Sequence, residues 1–177
     1  MEFPPDNVKD TISDISRILK KEEWRISISE AACGGLMSSY LVSVAGASKY
    51  FDGSTLLYSL KSKLKLSGWM KNDITSYTGP SEKVAKRLAR NLRMELGSTY
   101  VLSETGFAGP SSYCNNGATL DSKVGTVYFA VSGPKGERSI MKKTGLSDRS
   151  RNMQEFARLG LEFLLLVLQE DLQAEDI

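Results

Sequence analysis

The stretch of chain around two adjacent glycines passes from a strand pattern into a helical pattern. Trp24, Ile26 and Ile28 alternate with polar residues, which is the period of a β-strand. Beyond the glycines, apolar residues recur at helical spacing, at Leu36, Tyr40, Leu41 and Val44. Gly34 and Gly35 permit a tight turn and a close approach of a ligand to backbone N–H groups. Such a turn predicts either an ordinary connection or the ligand site of an α/β protein.

Strand and helix patterns alternate through the rest of the sequence. Helices are predicted over 8–23 with a cap at Asp6 or Asn7, around Lys63, over 82–96 between Ser81 and Gly97, and from Arg149 onward. Strands are predicted over 54–58, 100–104, 126–132 and 137–143, the last two as a hairpin, with a polar loop over 72–79 and a fraying acidic tail over 169–177. This order predicts a three-layer α/β/α sandwich with a mainly parallel sheet, as one domain over residues 1–177.

Composition narrows the class of protein. A chain with 41% hydrophobic and 25% charged residues is typical of a globular domain. The net charge of +2 and the absence of a basic run argue against nucleic-acid binding. Neither a signal peptide nor a membrane-spanning segment is predicted. The two cysteines, Cys33 and Cys114, make no disulfide framework, so we expect a reducing, cytoplasmic environment.

The sequence contains no histidine, which limits the chemistry open to it. A Ser-His-Asp or Cys-His catalytic set and a histidine-ligated metal are excluded. Two distant cysteines also argue against a structural zinc ion, so we expect neither a metal nor a cofactor. Any reaction must use hydroxyl, thiol, lysine, tyrosine or carboxylate groups, or the backbone.

The glycine-containing stretch resembles the signature of the CinA C-terminal domain family, the nicotinamide-nucleotide amidases. That signature reads approximately Ala-Glu-Ser-Cys-Thr-Gly-Gly-Leu, and Glu30, Gly34, Gly35 and Leu36 match it. The serine of the signature, which is the family's proposed nucleophile, corresponds to Ala31.

Three later segments resemble the same family. Tyr58 and Lys63 match a Val-Thr-Tyr-Ser-Asn-Glu-Ala-Lys pattern at a predicted strand-to-helix junction. The segment 105–110 matches a Thr-Gly-x-Ala-Gly-Pro pattern, and 148–149 match the end of a Gly-Asp-Arg pattern. A second glycine loop of this kind offers N–H donors that can hold an anion, and Arg149 can clamp a phosphate, with Arg151 as a second candidate. The alternatives are a solvated lysine face around Lys63 and a helix cap with a surface arginine at 149.

The resemblance implies the fold, the substrate and the site of the family. Its members hydrolyse the carboxamide of nicotinamide mononucleotide to nicotinate mononucleotide and ammonia. The residues implied to bind the ligand are Glu30, Gly34, Gly35, Thr105, Gly106, Gly109 and Arg149. Tyr58 and Lys63 would hold a polar group or move a proton, with the lysine as a base.

Because an alanine methyl group cannot attack a carbonyl, three interpretations remain open. In the first, the chain keeps a nucleotide pocket but lacks the usual amidase activity. In the second, it is an active hydrolase that uses another nucleophile, such as Cys33, whose pKa a nearby helix N-terminus would lower. In the third, it is an interaction protein that forms a homo-oligomer through its apolar C-terminal helix.

Overall fold

The computed structural model describes residues 2–112 and 123–174, which form a five-stranded sheet with helices on both faces. The strands are β1 Ile26–Glu30, β2 Phe51–Leu56, β3 Tyr100–Gly106, β4 Thr126–Gly133 and β5 Gly136–Lys143. The helices are α1 Asp6–Lys21, α2 Leu36–Val42, α3 Leu60–Leu66, α4 Lys71–Thr75, α5 Glu82–Leu96 and α6 Arg149–Gln173, with a 3₁₀ turn at Ala47–Lys49.

The sheet has the strand order β2-β1-β3-β4-β5 and is mixed. β1 pairs in parallel with β2 and β3, whereas β4 is antiparallel to both β3 and β5. The prediction of an α/β fold is therefore confirmed. Four of the five strands run in the same direction, and the predicted hairpin accounts for the one reversed strand, β4.

Strand alternation divides the side chains of the sheet between two cores. Ile26, Ile28 and Phe129 face a large core that α1, α2 and α6 complete. Val101 and Ala130 face a smaller core beneath α5. The carboxyl ends of β1 and β3 lie side by side, because Ile28 is level with Leu102 and Ser29 with Ser103. Both glycine loops therefore leave the same edge of the sheet.

Helix α5 illustrates how local chemistry sets the bounds of an element. The Ser81 side chain accepts a hydrogen bond from the N–H of Val84, and Gly97 ends the helix in a left-handed conformation with φ +68°. Both ends confirm the predicted helix. At α1 the predicted side-chain cap is wrong, because the helix begins after Pro5 and neither Asp6 nor Asn7 caps it.

Two further predictions of secondary structure are wrong. The predicted loop over 72–79 contains helix α4, whose start is held by the N–H of Met70 donating to Asp73. The predicted fraying from Gln169 is wrong up to Gln173, because α6 continues and buries Asp171, which accepts a hydrogen bond of 2.7 Å from Tyr100 Oη. Cys114 lies outside the described residues.

Most of the apolar surface of α6 is already used inside the chain. Its buried side chains pack against α1, α2 and the sheet, whereas Leu166 is 50% exposed. Across the described ranges, none of the helices combines the length and the apolar character needed to cross a bilayer.

Candidate functional site

The first glycine loop joins β1 to α2 and closes on a buried carboxylate. Glu30 is 1% exposed, and its Oε2 accepts from the N–H groups of Gly35 at 2.9 Å and Met37 at 3.2 Å. Its Oε1 accepts from the N–H and the hydroxyl of Ser38, at 2.8 and 2.5 Å. Glu30 thus satisfies the N–H groups that the first turn of a helix leaves unpaired, and its negative charge suits that helix end.

A second buried carboxylate reaches the same loop from the neighbouring strand. Glu104 in β3 is fully buried and accepts from the N–H groups of Ala31, Ala32 and Cys33 at 3.1, 3.1 and 2.9 Å. Burial raises the pKa of Glu104, and the N–H groups of Cys33 and Ala31 partly oppose that shift. The two acids therefore hold the loop from beneath.

The N–H groups of the first loop are used within the protein itself and not, as predicted, for a ligand. The N–H of Gly34 donates to the carbonyl of Ala31 at 3.3 Å, and that of Gly35 donates to Glu30. Among the described residues, Glu30, Gly34 and Gly35 do not line the cavity that receives the other predicted side chains. Their observed contacts support the turn rather than a ligand.

Cys33 lies in the large core instead of at an accessible helix end. Its side chain is fully buried, and burial raises the pKa of the thiol well above its ordinary value. The nearby charges of Glu104 and Glu30 add to this shift. The expectation of a lowered thiol pKa is wrong, because burial and two carboxylates outweigh the helix end.

A cavity of about 330 Å³ opens beside this loop, at the carboxyl edge of the sheet. The structure brings seven of the predicted site residues to its wall: Ala31, Tyr58, Lys63, Thr105, Gly106, Gly109 and Arg149. The sequence pattern thus located one cavity from segments that are far apart in the chain. Its volume lies at the lower end of the range of small-molecule sites.

The second glycine loop forms one side of the cavity and is tightly packed behind it. Gly109 has φ +87°, and a Cβ there would lie 2.6 Å from Val124 Cγ1 and 3.0 Å from Ser147 O. The loop is fastened by Asn152, which is fully buried and donates to the carbonyls of Ala108 at 2.9 Å and Leu146 at 3.0 Å. Asn152 is therefore a positioning residue for this wall.

Arg149 and Tyr58 make a polar bridge at the cavity. One guanidinium nitrogen donates to the carbonyl of Gly109 at 2.7 Å, and another donates to Tyr58 Oη at 2.6 Å. The Arg149 Cζ also lies 5.9 Å from the centre of the Tyr58 ring. Two of the five N–H groups of the guanidinium are engaged in these bonds, so the remaining ones can serve an anion.

Lys63 is buried in the cavity wall rather than on a solvated helix face. It is 2% exposed, and its Nζ donates to the carbonyls of Leu57 at 2.6 Å and Tyr58 at 3.1 Å. Burial lowers the pKa of Lys63, although the charge of Glu104 opposes the shift. A lysine with a lowered pKa can accept a proton or act as a nucleophile.

Sequence reasoning missed Glu104 and Asn152. Glu104 left one signal, a lone acid inside an apolar strand pattern, and an acid in such a position needs buried donors. Asn152 left none, because a single asparagine in a helix is ordinary. Within residues 2–112 and 123–174 there is no group of three or more acidic or cysteine side chains that could hold a metal ion.

The fold is that of an α/β domain with a cavity lined by polar side chains at the carboxyl edge of its sheet. The sequence model of the CinA C-terminal domain matches residues 8–168, so the chain belongs to that family.

Relatives agree with this assignment. A CinA-like protein of Chlorobium limicola is 33% identical over 160 residues, which are 88% of this chain and 36% of the relative. One of Prochlorococcus marinus strain AS9601 is 34% identical over 153 residues, which are 86% of this chain and 34% of the relative. The chain therefore spans about a third of the length of these curated relatives.

A solved structure has the same fold. The competence/damage inducible protein CihA of Agrobacterium tumefaciens superposes with a TM-score of 0.84 at 22% identity, and the match covers 96% of this chain and 99% of that one. The competence damage-inducible protein A of Klebsiella pneumoniae gives a TM-score of 0.83 at 19% identity, over 93% and 98% of the two chains.

Proposed function

We propose that the chain binds a nucleoside monophosphate of the nicotinamide mononucleotide type and lacks the serine-dependent amidase activity of its family. The observation that carries the proposal is the composition of one cavity wall. Arg149, Thr105 and the second glycine loop stand there with Lys63 and Tyr58, whereas the position of the nucleophile is the methyl group of Ala31.

The cationic and hydroxyl groups of the cavity support a phosphate-bearing ligand. The Arg149 guanidinium is oriented by its bonds to Gly109 and Tyr58, which reduces the cost of fixing it when an anion binds. Thr105 lies near the end of β3 and lines the cavity. A planar guanidinium is well suited to two oxygens of one phosphate.

Two losses support the absence of amidase activity. Hydrolysis of an amide by a side chain needs a nucleophile, and it also needs N–H donors for the oxyanion that develops. Ala31 supplies no nucleophile, and the three N–H groups nearest to it donate to Glu104. A hydroxyl at position 31 would thus meet donors that are already engaged.

The second candidate function is an active amidase with another nucleophile. The burial of Cys33 disfavours that residue as the nucleophile. The Cys33 thiol is buried with a raised pKa, so little thiolate is present near neutral pH. If the native protein releases ammonia, loss of that release in Cys33→Ser would restore this candidate.

The third candidate function is that of an interaction protein which forms a homo-oligomer through α6. Leu166 is half exposed on that helix, so Leu166→Glu would disturb an interface without opening the core. A change of mass in solution on this substitution supports the oligomer, and an unchanged mass contradicts a role of this face.

We also propose a cytoplasmic location, because the chain has two cysteines far apart in the sequence and the proposed ligand is a metabolite.

The test pairs calorimetry with ammonia release, using nicotinamide mononucleotide and both the native protein and Ala31→Ser. We expect the native protein to bind and to release no ammonia. Release from Ala31→Ser at unchanged affinity means that only the nucleophile is missing. Silence at unchanged affinity means that Glu104 also withholds the donors. Absence of binding to both proteins contradicts the proposal.

A further inference from the structure

Lys63 keeps a buried amine in a cavity where the hydroxyl that it would serve is absent. Its Nζ is bonded to the carbonyls of Leu57 and Tyr58, at 2.6 and 3.1 Å. A neutral amine has two N–H groups and one lone pair, whereas an ammonium has three N–H groups. The two carbonyls match the two N–H groups of the neutral amine, and its lone pair is then left for a ligand.

The surroundings of Lys63 favour that neutral form. The side chain is almost fully buried, which lowers its pKa, although the charge of Glu104 reduces the effect. Its two helical neighbours, Lys61 and Lys65, are exposed to solvent. The same helix therefore carries one buried amine and two exposed ones.

We propose that Lys63 captures phosphate-bearing aldehydes in this cavity as a Schiff base. The Nζ lone pair forms a C–N bond to the aldehyde carbon while the C=O π electrons move to oxygen, which takes a proton from nitrogen. The hydroxyl then leaves with the second nitrogen proton as water, and a C=N bond forms. The step involves no oxidant or reductant, and hydrolysis reverses it.

The aldehyde class follows from what lines the same wall. Arg149 stands in the cavity with unused N–H groups, and Thr105 adds a hydroxyl. These groups hold a phosphate at one end of a ligand while the amine meets the other end. The volume of about 330 Å³ restricts the ligand to a small molecule. This activity goes beyond the binding proposed above and does not depend on nicotinamide mononucleotide as the ligand.

The experiment traps the imine on the native protein. Glyceraldehyde 3-phosphate is added at pH 7, borohydride reduces any C=N bond to a stable secondary amine, and peptide mass spectrometry locates the label. Lys61 and Lys65 are internal controls of the same helix. Because the cavity groups hold the phosphate beside Lys63 and burial shifts its amine toward the neutral form, we expect several-fold more label on Lys63 than on either control. Equal or weaker labelling of Lys63 overturns the proposal.

Two further comparisons separate the parts of the claim. Arg149→Ala should reduce the labelling of Lys63 by the phosphorylated aldehyde several-fold more than it reduces the labelling by unphosphorylated glyceraldehyde. Arg151→Ala, on the same helix but outside the cavity wall, should change neither. A preference of Lys63 for the unphosphorylated aldehyde in the native protein overturns the phosphate requirement.

Nicotinamide mononucleotide, added first, distinguishes this inference from the proposed function. Protection of Lys63 from the label supports a shared cavity. Selective labelling without protection leaves the Schiff base standing while the proposed ligand fails. If the nucleotide binds in calorimetry but Lys63 is not selectively labelled, the proposed ligand stands and the Schiff base fails.

Discussion

The two glycine loops leave neighbouring strands at the same sheet edge, yet they use their surroundings in opposite ways. The loop after β1 donates its N–H groups inward, to Glu104 from Ala31, Ala32 and Cys33 and to Glu30 from Gly35. The loop after β3 contributes its residues 105–109 to the wall of the cavity. It is packed from behind by Val124 and fastened by Asn152.

The difference shows that glycines after a strand do not by themselves define a ligand cradle. What decides the role of each loop is whether a buried acceptor lies beneath it. A carboxylate that accepts three or four hydrogen bonds makes a loop into a rigid support. In this chain the first loop supports the site, and the polar groups of its wall come from the second loop, from Arg149 of α6 and from Tyr58 and Lys63.

The largest effect is expected at Glu30. Glu30→Ala would leave the N–H groups of Gly35, Met37 and Ser38 unsatisfied in a buried place, so the free energy of unfolding should fall by about 3–5 kcal/mol. Urea denaturation measures it. The control Glu95→Ala removes an exposed glutamate and should change stability by less than about 0.5 kcal/mol. Similar effects at both positions would contradict the supporting role of Glu30.

A matched pair of glycine substitutions compares the two loops directly. Gly109→Ala strains a left-handed residue and collides with Val124, so we expect a loss of stability of about 2–4 kcal/mol. In Gly35→Ala the new Cβ would have no atom within 4 Å. The loss of stability should therefore come only from the left-handed conformation, at about 1–2 kcal/mol. Thermal and urea unfolding of both variants check the order. A larger loss at Gly35 would show that the second loop is the more adaptable one.

The next effect is on binding. Arg149→Ala should weaken binding of a phosphorylated ligand by about 10–100-fold, because it removes a charged hydrogen-bond donor worth about 1.5–3 kcal/mol. Arg151→Ala removes the same charge from an exposed position that does not line the cavity and should leave affinity unchanged. Calorimetric titrations of the two variants with nicotinamide mononucleotide decide it. Equal weakening would mean that only long-range charge matters.

The smallest effect is a pH dependence that belongs to Glu104. Because burial raises the pKa of Glu104, the native state holds this proton more tightly than the unfolded chain does. Its contribution to stability is therefore present below the ordinary carboxyl value of 4.5 and is lost as the pH rises through the raised pKa.

A glutamine at position 104 does not ionise, so comparison of the native protein with Glu104→Gln isolates the contribution of this carboxyl group to stability. The unfolding free energy of the native protein minus that of Glu104→Gln should fall as the pH rises through this window, and should level off above it. Urea denaturation at a series of pH values measures the difference. A difference that grows with pH would mean that the pKa is lowered instead.

Local chemistry predicted much of the fold, and the resemblance to a family grouped the residues that line the cavity. Ser81 and Gly97 were readable as the ends of α5, and the 133–136 turn as the end of a hairpin, because capping and turn residues act within a few positions. The order of the strands was not readable, since the place of each strand in the sheet depends on long-range pairing.

The site was predicted where a residue belongs to a cavity wall and was misread where burial decides the chemistry. Lys63 and Arg149 come to one cavity as predicted, although Lys63 is buried and not solvated. Cys33 resembled an activated thiol by its position, but its depth in the core was invisible from the sequence. Glu104 was missed because its partners lie more than 70 positions away.

Amide hydrogen exchange of the ligand-free protein, read by nuclear magnetic resonance, tests the contrast between the loops most directly. The N–H groups bonded to the two carboxylates are those of Ala31, Ala32, Cys33, Gly35, Met37 and Ser38. We predict that all six exchange slowly before any ligand is added. Rapid exchange that becomes slow only when nicotinamide mononucleotide is present would contradict the account, because the ligand and not the two carboxylates would then hold these N–H groups.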